Sequence, residues 1–168
     1  MLQQQNLQIK LYMISRTFVN KEKGVMLRLH QTLVRPKLEY CVQAWRPYLR
    51  KHIDLLEKVQ KRGTRMIISD RDLTYGERLK NLGLTTLETR RLRGELIEVF
   101  KMFKGLDDVK NTDFFTLPST GLRGHKYKLY KPQAHLDIRN NFYSVRIIEW
   151  NCLLETLLHC TTLTTFKK

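Results

Sequence analysis

The chain has 168 residues, 42% of them apolar, and carries 31 Lys and Arg against 16 Asp and Glu, a net charge of +15. That apolar share excludes a generally disordered chain and is enough for one or two small cores, while the charge favours phosphate backbones or acidic surfaces as partners. No apolar run approaches the roughly 18 residues of a membrane-spanning helix, and residues 2–6 are glutamine-rich rather than apolar, so no secretion signal or membrane partner is read and an intracellular protein, nuclear or cytoplasmic, is expected.

Residues 3–19 predict a first helix, with Leu7, Leu11, Ile14 and Phe18 on one stripe and Asn20 as its stop. Residues 22–34 predict a second, with Val25, Leu29 and Leu33 aligned. Pro36 cannot donate a backbone hydrogen bond, which predicts a kink or break near Arg35, with helix resuming over 38–45 until Arg46 and Pro47 close it. Tyr40, Trp45 and Tyr48 read as core.

Residues 52–68 form a third helical window. Leu56, Val59, Gly63, Met66 and Ile67 point one way, and Lys58, Lys61, Arg62 and Arg65 fall within about 100° of arc on the other side. Gly63 is expected to cost roughly 1 kcal/mol relative to Ala. Asp70 and Asp72 read as capping residues between helices. Thr74, three residues before Glu77, has capping-box spacing and opens a short helix that Gly83 ends.

Residues 82–108, LGLTTLETRRLRGELIEVFKMFKGLDD, carry the fullest set of signals. Thr85 stands three residues before Glu88, again a capping-box spacing. Leu92, Leu96, Val99, Phe100 and Phe103 share one face, Gly105 marks the stop, and Arg90, Arg93, Lys101 and Lys104 lie on an opposite arc. After Gly105 the pattern changes. Residues 109–124, with Pro118, Gly121 and Gly124, read as loop around Phe114 and Phe115, and 125–131 alternate like a short strand, with Tyr127 and Leu129 against Lys126, Lys128 and Tyr130. Residues 141–154 return to helix, and the threonine-rich segment from Thr161 reads as frayed. The expected fold is therefore mainly α, a helical bundle over 1–108 followed by a small, basic α+β segment over 109–168.

Cys41, Cys152 and Cys160 are an odd number at irregular spacing, which is no disulfide framework. His159 beside Cys160 lacks the companions of a zinc site, and no cofactor is expected. No nucleophile–base pair is legible.

Residues 33–48, LVRPKLEYCVQAWRPY, 55–67, LLEKVQKRGTRMI, and 82–108 together resemble the C-terminal part of non-LTR (LINE-type, jockey-like) retrotransposon reverse transcriptases. The resemblance continues through 121–131, GLRGHKYKLYK, and 148–153, IEWNCL, and ends at Phe166 and Lys167. It implies a thumb-like region over 1–108 and the basic segment that follows a thumb. It implies RNA or DNA as partner, gripped through the phosphate backbone by Lys58, Lys61, Arg62, Arg65, Arg90, Arg93, Lys101, Lys104, Lys126 and Lys128. Departures from the family pattern are His30 where Tyr is usual, Gly63 where Ala is common and Leu154 where Pro is expected.

The polymerase palm of that family holds two metal ions roughly 3.5–4 Å apart between paired carboxylates. Here the adjacent pair Asp107–Asp108 follows a helix and reads as a solvated turn. Magnesium would belong to the parent enzyme's palm, and no enzyme is expected in this chain by itself. Alternatives are a helical protein-interaction module, a non-functional remnant of a decayed element, or a helix-turn-helix regulator built around residues 69–73. Tyr127 and Tyr130 either stack on unpaired bases or pack as strand residues. A primer-extension assay with an RNA template, deoxynucleotides and Mg²⁺ is expected to show no product above a heat-killed control.

Overall fold

The computed structural model describes the whole chain except Met1, Asn20, Arg71, residues 119–124, Lys126, Thr161 and Lys168, and the side chains of residues 2–7 and Lys10. The described residues are mainly helical and include no strand. They form two compact units, Met1–Arg91 and Leu92–Lys168. The division falls inside a helix, whereas the sequence pattern puts the boundary after Asp108.

The first unit contains α1 (Leu2–Thr17), α2 (Lys23–Leu29), a π-helical turn (His30–Val34), α3 (Arg35–Glu39), α4 (Arg50–Ile67), α5 (Tyr75–Asn81) and the start of α6 (Leu87–Lys104). Leu11 and Ile14 of α1 are buried as expected, whereas Phe18 lies beyond the helix and is exposed. Leu7 as a side chain, and Asn20 as the stop, lie outside the described residues.

The expected stripe Val25, Leu29, Leu33 is one residue out of register. Met26, His30, Val34 and Leu38 are the buried set, and Val25 and Leu33 are exposed. A strict spacing of four overshoots the 3.6 residues of an α-helical turn, and one wider π turn absorbs the excess. That turn also accommodates Pro36. The Arg35 N–H donates five residues back to the His30 carbonyl, and Pro36 falls in the first turn of α3, where its missing N–H is least costly.

Helix does not resume after Glu39. Cys41 takes φ 50°, and its carbonyl accepts from the amides of Ala44 and Trp45 at 3.1 and 3.0 Å. Tyr40 and Tyr48, expected in the core, are exposed, and the turn at Cys41 buries Val42 in place of Tyr40. Trp45 is half-buried beneath the Arg91 guanidinium, 4.3 Å from its ring.

The back of α4 buries Val59, Gln60, Gly63, Thr64 and Ile67. Gly63 is not a weak point here. A Cβ at that position would stand 2.7 Å from Cδ2 and 2.8 Å from Nε2 of His30, so the bare Cα makes room for the imidazole. The capping box before α5 forms: Glu77 accepts from the Thr74 amide at 2.8 Å, and Thr74 Oγ1 accepts from the Glu77 amide at 3.4 Å. Gly83, at φ 61°, ends that helix and lets the Leu84 amide reach the Leu79 carbonyl at 2.9 Å. Asp70 accepts from the Asp72 amide at 3.1 Å.

The second unit packs Val99, Phe100, Phe115, Leu129, Tyr143, Ile147, Trp150 and Leu158 into one core. The expected strand over 125–131 is absent among the described residues, so the small α+β segment is corrected to irregular chain with short helices. A side chain takes the place of a neighbouring strand: Asn151 accepts from the Leu129 amide at 2.8 Å and donates to the Leu129 carbonyl at 2.9 Å. Lys126, Gly121 and Gly124 lie outside the described residues.

The helix expected over 141–154 is broken into α8 (Tyr143–Arg146) and a 3₁₀ turn (Ile148–Cys152), after α7 (Asp137–Asn140). Tyr143, Val145 and Ile147 are all buried, and an uninterrupted α-helix would not put three alternate residues on one side. After α9 (Glu155–Leu158), the threonine-rich end forms α10 (Leu163–Phe166) instead of fraying. Thr162 caps it by accepting from the Thr165 amide, and Phe166 stacks on Phe100 with centroids 4.2 Å apart.

Gly63→Ala is expected to lower the urea midpoint, since overpacking costs about 1–3 kcal/mol against a helix-propensity gain of ~1 kcal/mol. In a His30→Ala background the same change is expected to raise it.

Candidate functional site

Helix α4 has two sides of opposite character. Its back carries the core residues just described, and Lys58, Lys61, Arg62 and Arg65 on its front are all exposed. None of the ion pairs among the described residues involves these four. Arg62 Nη1 donates to Gln8 Oε1 at 3.5 Å, and Lys61 Nζ sits 5.2 Å from the Tyr75 ring centroid. The four span about 10 Å of helix axis, comparable to the Debye length at physiological salt, so their fields add at the surface.

Tyr75 is fixed from behind. It donates to Glu57, and Gln60 Nε2 donates to its hydroxyl at 3.0 Å. Burial, first, and the bond to Glu57 push its phenol well above the ordinary tyrosine range. Glu57 also accepts from the Leu87 amide at 3.0 Å, so one α4 carboxylate holds Tyr75 and the N-terminus of α6. The residue that caps α6 is Thr86, whose hydroxyl accepts from the Thr89 amide at 3.3 Å, rather than Thr85. Glu88, expected to close a capping box with Thr85, pairs with Arg50 at 3.4 Å.

The cations of α6 differ from those of α4. In the first unit, Arg90 Nε lies 2.6 Å from Glu39, which also holds Arg35 at 2.7 Å. In the second unit, Arg93 is exposed, but Lys101 lies 2.9 Å from Glu98 and 3.9 Å from Asp107. The hydrogen bond to Glu98, with the charges of Glu98 and Asp107, holds its ammonium above the ordinary lysine range. Lys104 Nζ stands over the rings of Phe100 and Tyr127 at 5.6 and 5.8 Å. Lys128 is half-buried. Tyr127 lies against Phe103 and accepts from Trp150 Nε1 at 2.8 Å, so it is a packing residue, while Tyr130 is exposed.

Two buried charges on α6 escape a reading of its apolar stripe. Arg91, 3% exposed, donates to the carbonyls of Leu38 and Trp45. Glu95, 0% exposed, meets Arg146 Nη2 at 2.5 Å and Nε at 3.1 Å. Arg91, Glu95 and Val99 succeed one another at intervals of four, a spacing that already places both charges on the buried side. Among the described residues no helix is long and apolar enough to cross a membrane, and no group of three or more His, Cys, Asp or Glu side chains is disposed to hold a metal.

Because Glu95 is fully enclosed, removing either residue leaves the other without its counter-charge. Glu95→Ala is expected to destabilise the second unit by about 3–5 kcal/mol in urea denaturation, and Arg93→Ala, at an exposed position of the same helix, to change stability by less than about 0.5 kcal/mol.

Comparison of the chain with protein-family models, with curated proteins and with solved structures finds no match to any of the three.

Proposed function

We propose that this chain is the thumb and post-thumb part of a non-LTR retrotransposon reverse transcriptase, without the catalytic palm, and that it contacts RNA or DNA through the phosphate backbone. The observation that carries the nucleic-acid reading is the front of α4: Lys58, Lys61, Arg62 and Arg65 are exposed on one face, outside every ion pair of the described residues. Cations held by partner carboxylates must break those pairs before they neutralise a phosphate, so Arg90 and Lys101 are weaker contacts than the α4 set. The family wording of residues 33–48, 55–67 and 82–108 supports the origin. Binding of this kind is electrostatic and independent of sequence.

A second reading, a helical protein-interaction module, is favoured by the outward side of α1, where Ile9, Tyr12 and Met13 are exposed together at helical spacing.

The test is equilibrium binding to a short duplex and to a single strand over a range of salt. If each of the four α4 cations neutralises one phosphate, log K falls against log salt with a slope of about −3.6 on B-form duplex and −2.8 on single strands. Replacing all four by Gln is expected to flatten most of that slope while the circular dichroism spectrum is unchanged. An unaltered affinity and slope in the quadruple variant would overturn the nucleic-acid reading and leave the interaction module in its place.

A further inference from the structure

His30 is a group that the proposed function does not use. It occupies the first position of the π turn, is 1% exposed, and has no hydrogen-bond partner at either ring nitrogen among the described residues. Its ring rests on the backbone of α4 at Gly63, with Leu11 of α1 on the same spot. A buried polar ring with neither nitrogen satisfied is tolerated when neutral and strongly disfavoured when charged.

The charged groups whose fields reach the ring are Arg35 and Glu39, both from the α3 continuation of its own helix. Glu39 is held between Arg35 and Arg90, so the favourable charge next to the ring is already shared. From α4 the ring meets Gly63, flanked on that helix by the uncharged buried residues Val59, Gln60, Thr64 and Ile67; from α1 it meets Leu11. Among the described neighbours on α4 and α1 no carboxylate faces the ring, so Glu39 is the compensating charge beside it.

We propose that the His30–Gly63 contact is an acid-sensitive latch, which fastens the α2–π turn–α3 segment to the back of α4 while the imidazole is neutral and releases it when the ring is protonated. The latch lies within the first unit and is independent of any ligand. The sign follows from linkage. Burial first, then Arg35, lowers the His30 pKa from 6.5 to about 4 in the packed state. The released state takes up the proton more readily, so the contribution is fully present above about pH 6.5 and is lost as the pH falls toward 4.

The equilibrium for opening is expected to rise about thirtyfold between about pH 7.5 and pH 5. Hydrogen exchange reads this directly: protection factors of the π-turn and α3 amides, corrected for the intrinsic pH dependence of exchange, fall by that factor in the intact chain. Glu39 is the other acid-sensitive group beside the ring, so the comparison is with His30→Leu, which retains Glu39 and abolishes the drop. A parallel proton-resonance titration of the unmodified chain needs no variant and is decisive if His30→Leu does not fold. The expected result is one imidazole titrating near 4. A His30 resonance titrating near 6.5, or a protection loss that persists undiminished in His30→Leu, would overturn the latch.

Discussion

The close approach of the His30 ring to the backbone at Gly63 sets the geometry of the first unit. A helix that carries four cations on its front gains nothing from folding on that side, so its place depends on what its back can bury. The back of α4 has Val59 and Ile67 as its buried apolar residues, with Leu56 and Met66 partly buried beside them, and a glycine and the polar residues Gln60 and Thr64 lie between. Were residue 63 to carry a Cβ, the π turn would have to stand further off and the surrounding Leu11, Met26 and Val34 would lose contact. His30 and Gly63 thus meet as a matched pair: the ring on one helix is accommodated by the missing side chain on the other.

Polar groups do much of the positioning. Glu57 ties α4 to Tyr75 and to the first amide of α6, and Gln60 reaches both Tyr75 and the Thr85 carbonyl at 2.9 Å. Arg91 closes the turn after α3 by donating to the carbonyls of Leu38 and Trp45, with its guanidinium over the Trp45 ring. In the second unit Glu95 and Arg146 form the equivalent pin, with the Tyr143 hydroxyl on the Glu95 carbonyl at 3.3 Å. Pairing of this kind is the condition under which a buried charge specifies one arrangement, although Arg91 Nε remains without a hydrogen-bond partner. Around the second pin the aromatic residues stack: Phe103 on Trp150 at 5.6 Å and Phe100 on Phe166 at 4.2 Å. The short helices of that unit owe their order to this cluster, since four-residue helices have too few internal hydrogen bonds to persist alone.

The distribution of counter-charge separates the basic faces from one another. Carboxylates at 39, 98 and 107 lie beside Arg90 and Lys101 and hold those cations in ion pairs. Among the described residues no carboxylate is ion-paired with Lys58, Lys61, Arg62 or Arg65, and Asp54 on the same side of α4 pairs with Arg50 instead. A run of positive residues in a sequence looks the same in both cases, and only the neighbours supplied by folding tell them apart.

The sequence by itself determined the helices of strong period, α1, α4, α5 and α6, the capping box at Thr74 and Glu77, and the glycine stops at 83 and 105, because each is settled by residues within one or two turns of one another. It also determined that Lys58, Lys61, Arg62 and Arg65 face away from the core, since the opposite stripe of α4 is apolar. Tertiary structure decided the rest. The register of α2, the fate of Tyr40 and Tyr48, the breaking of the helix expected after Asn141, the replacement of a strand by Asn151, and the burial of Arg91 and Glu95 all depend on partners distant in the chain. A lone glycine or histidine has no meaning at the level of local propensity. The value of Gly63 is set by the ring packed on it, and the proton affinity of His30 by the core around it.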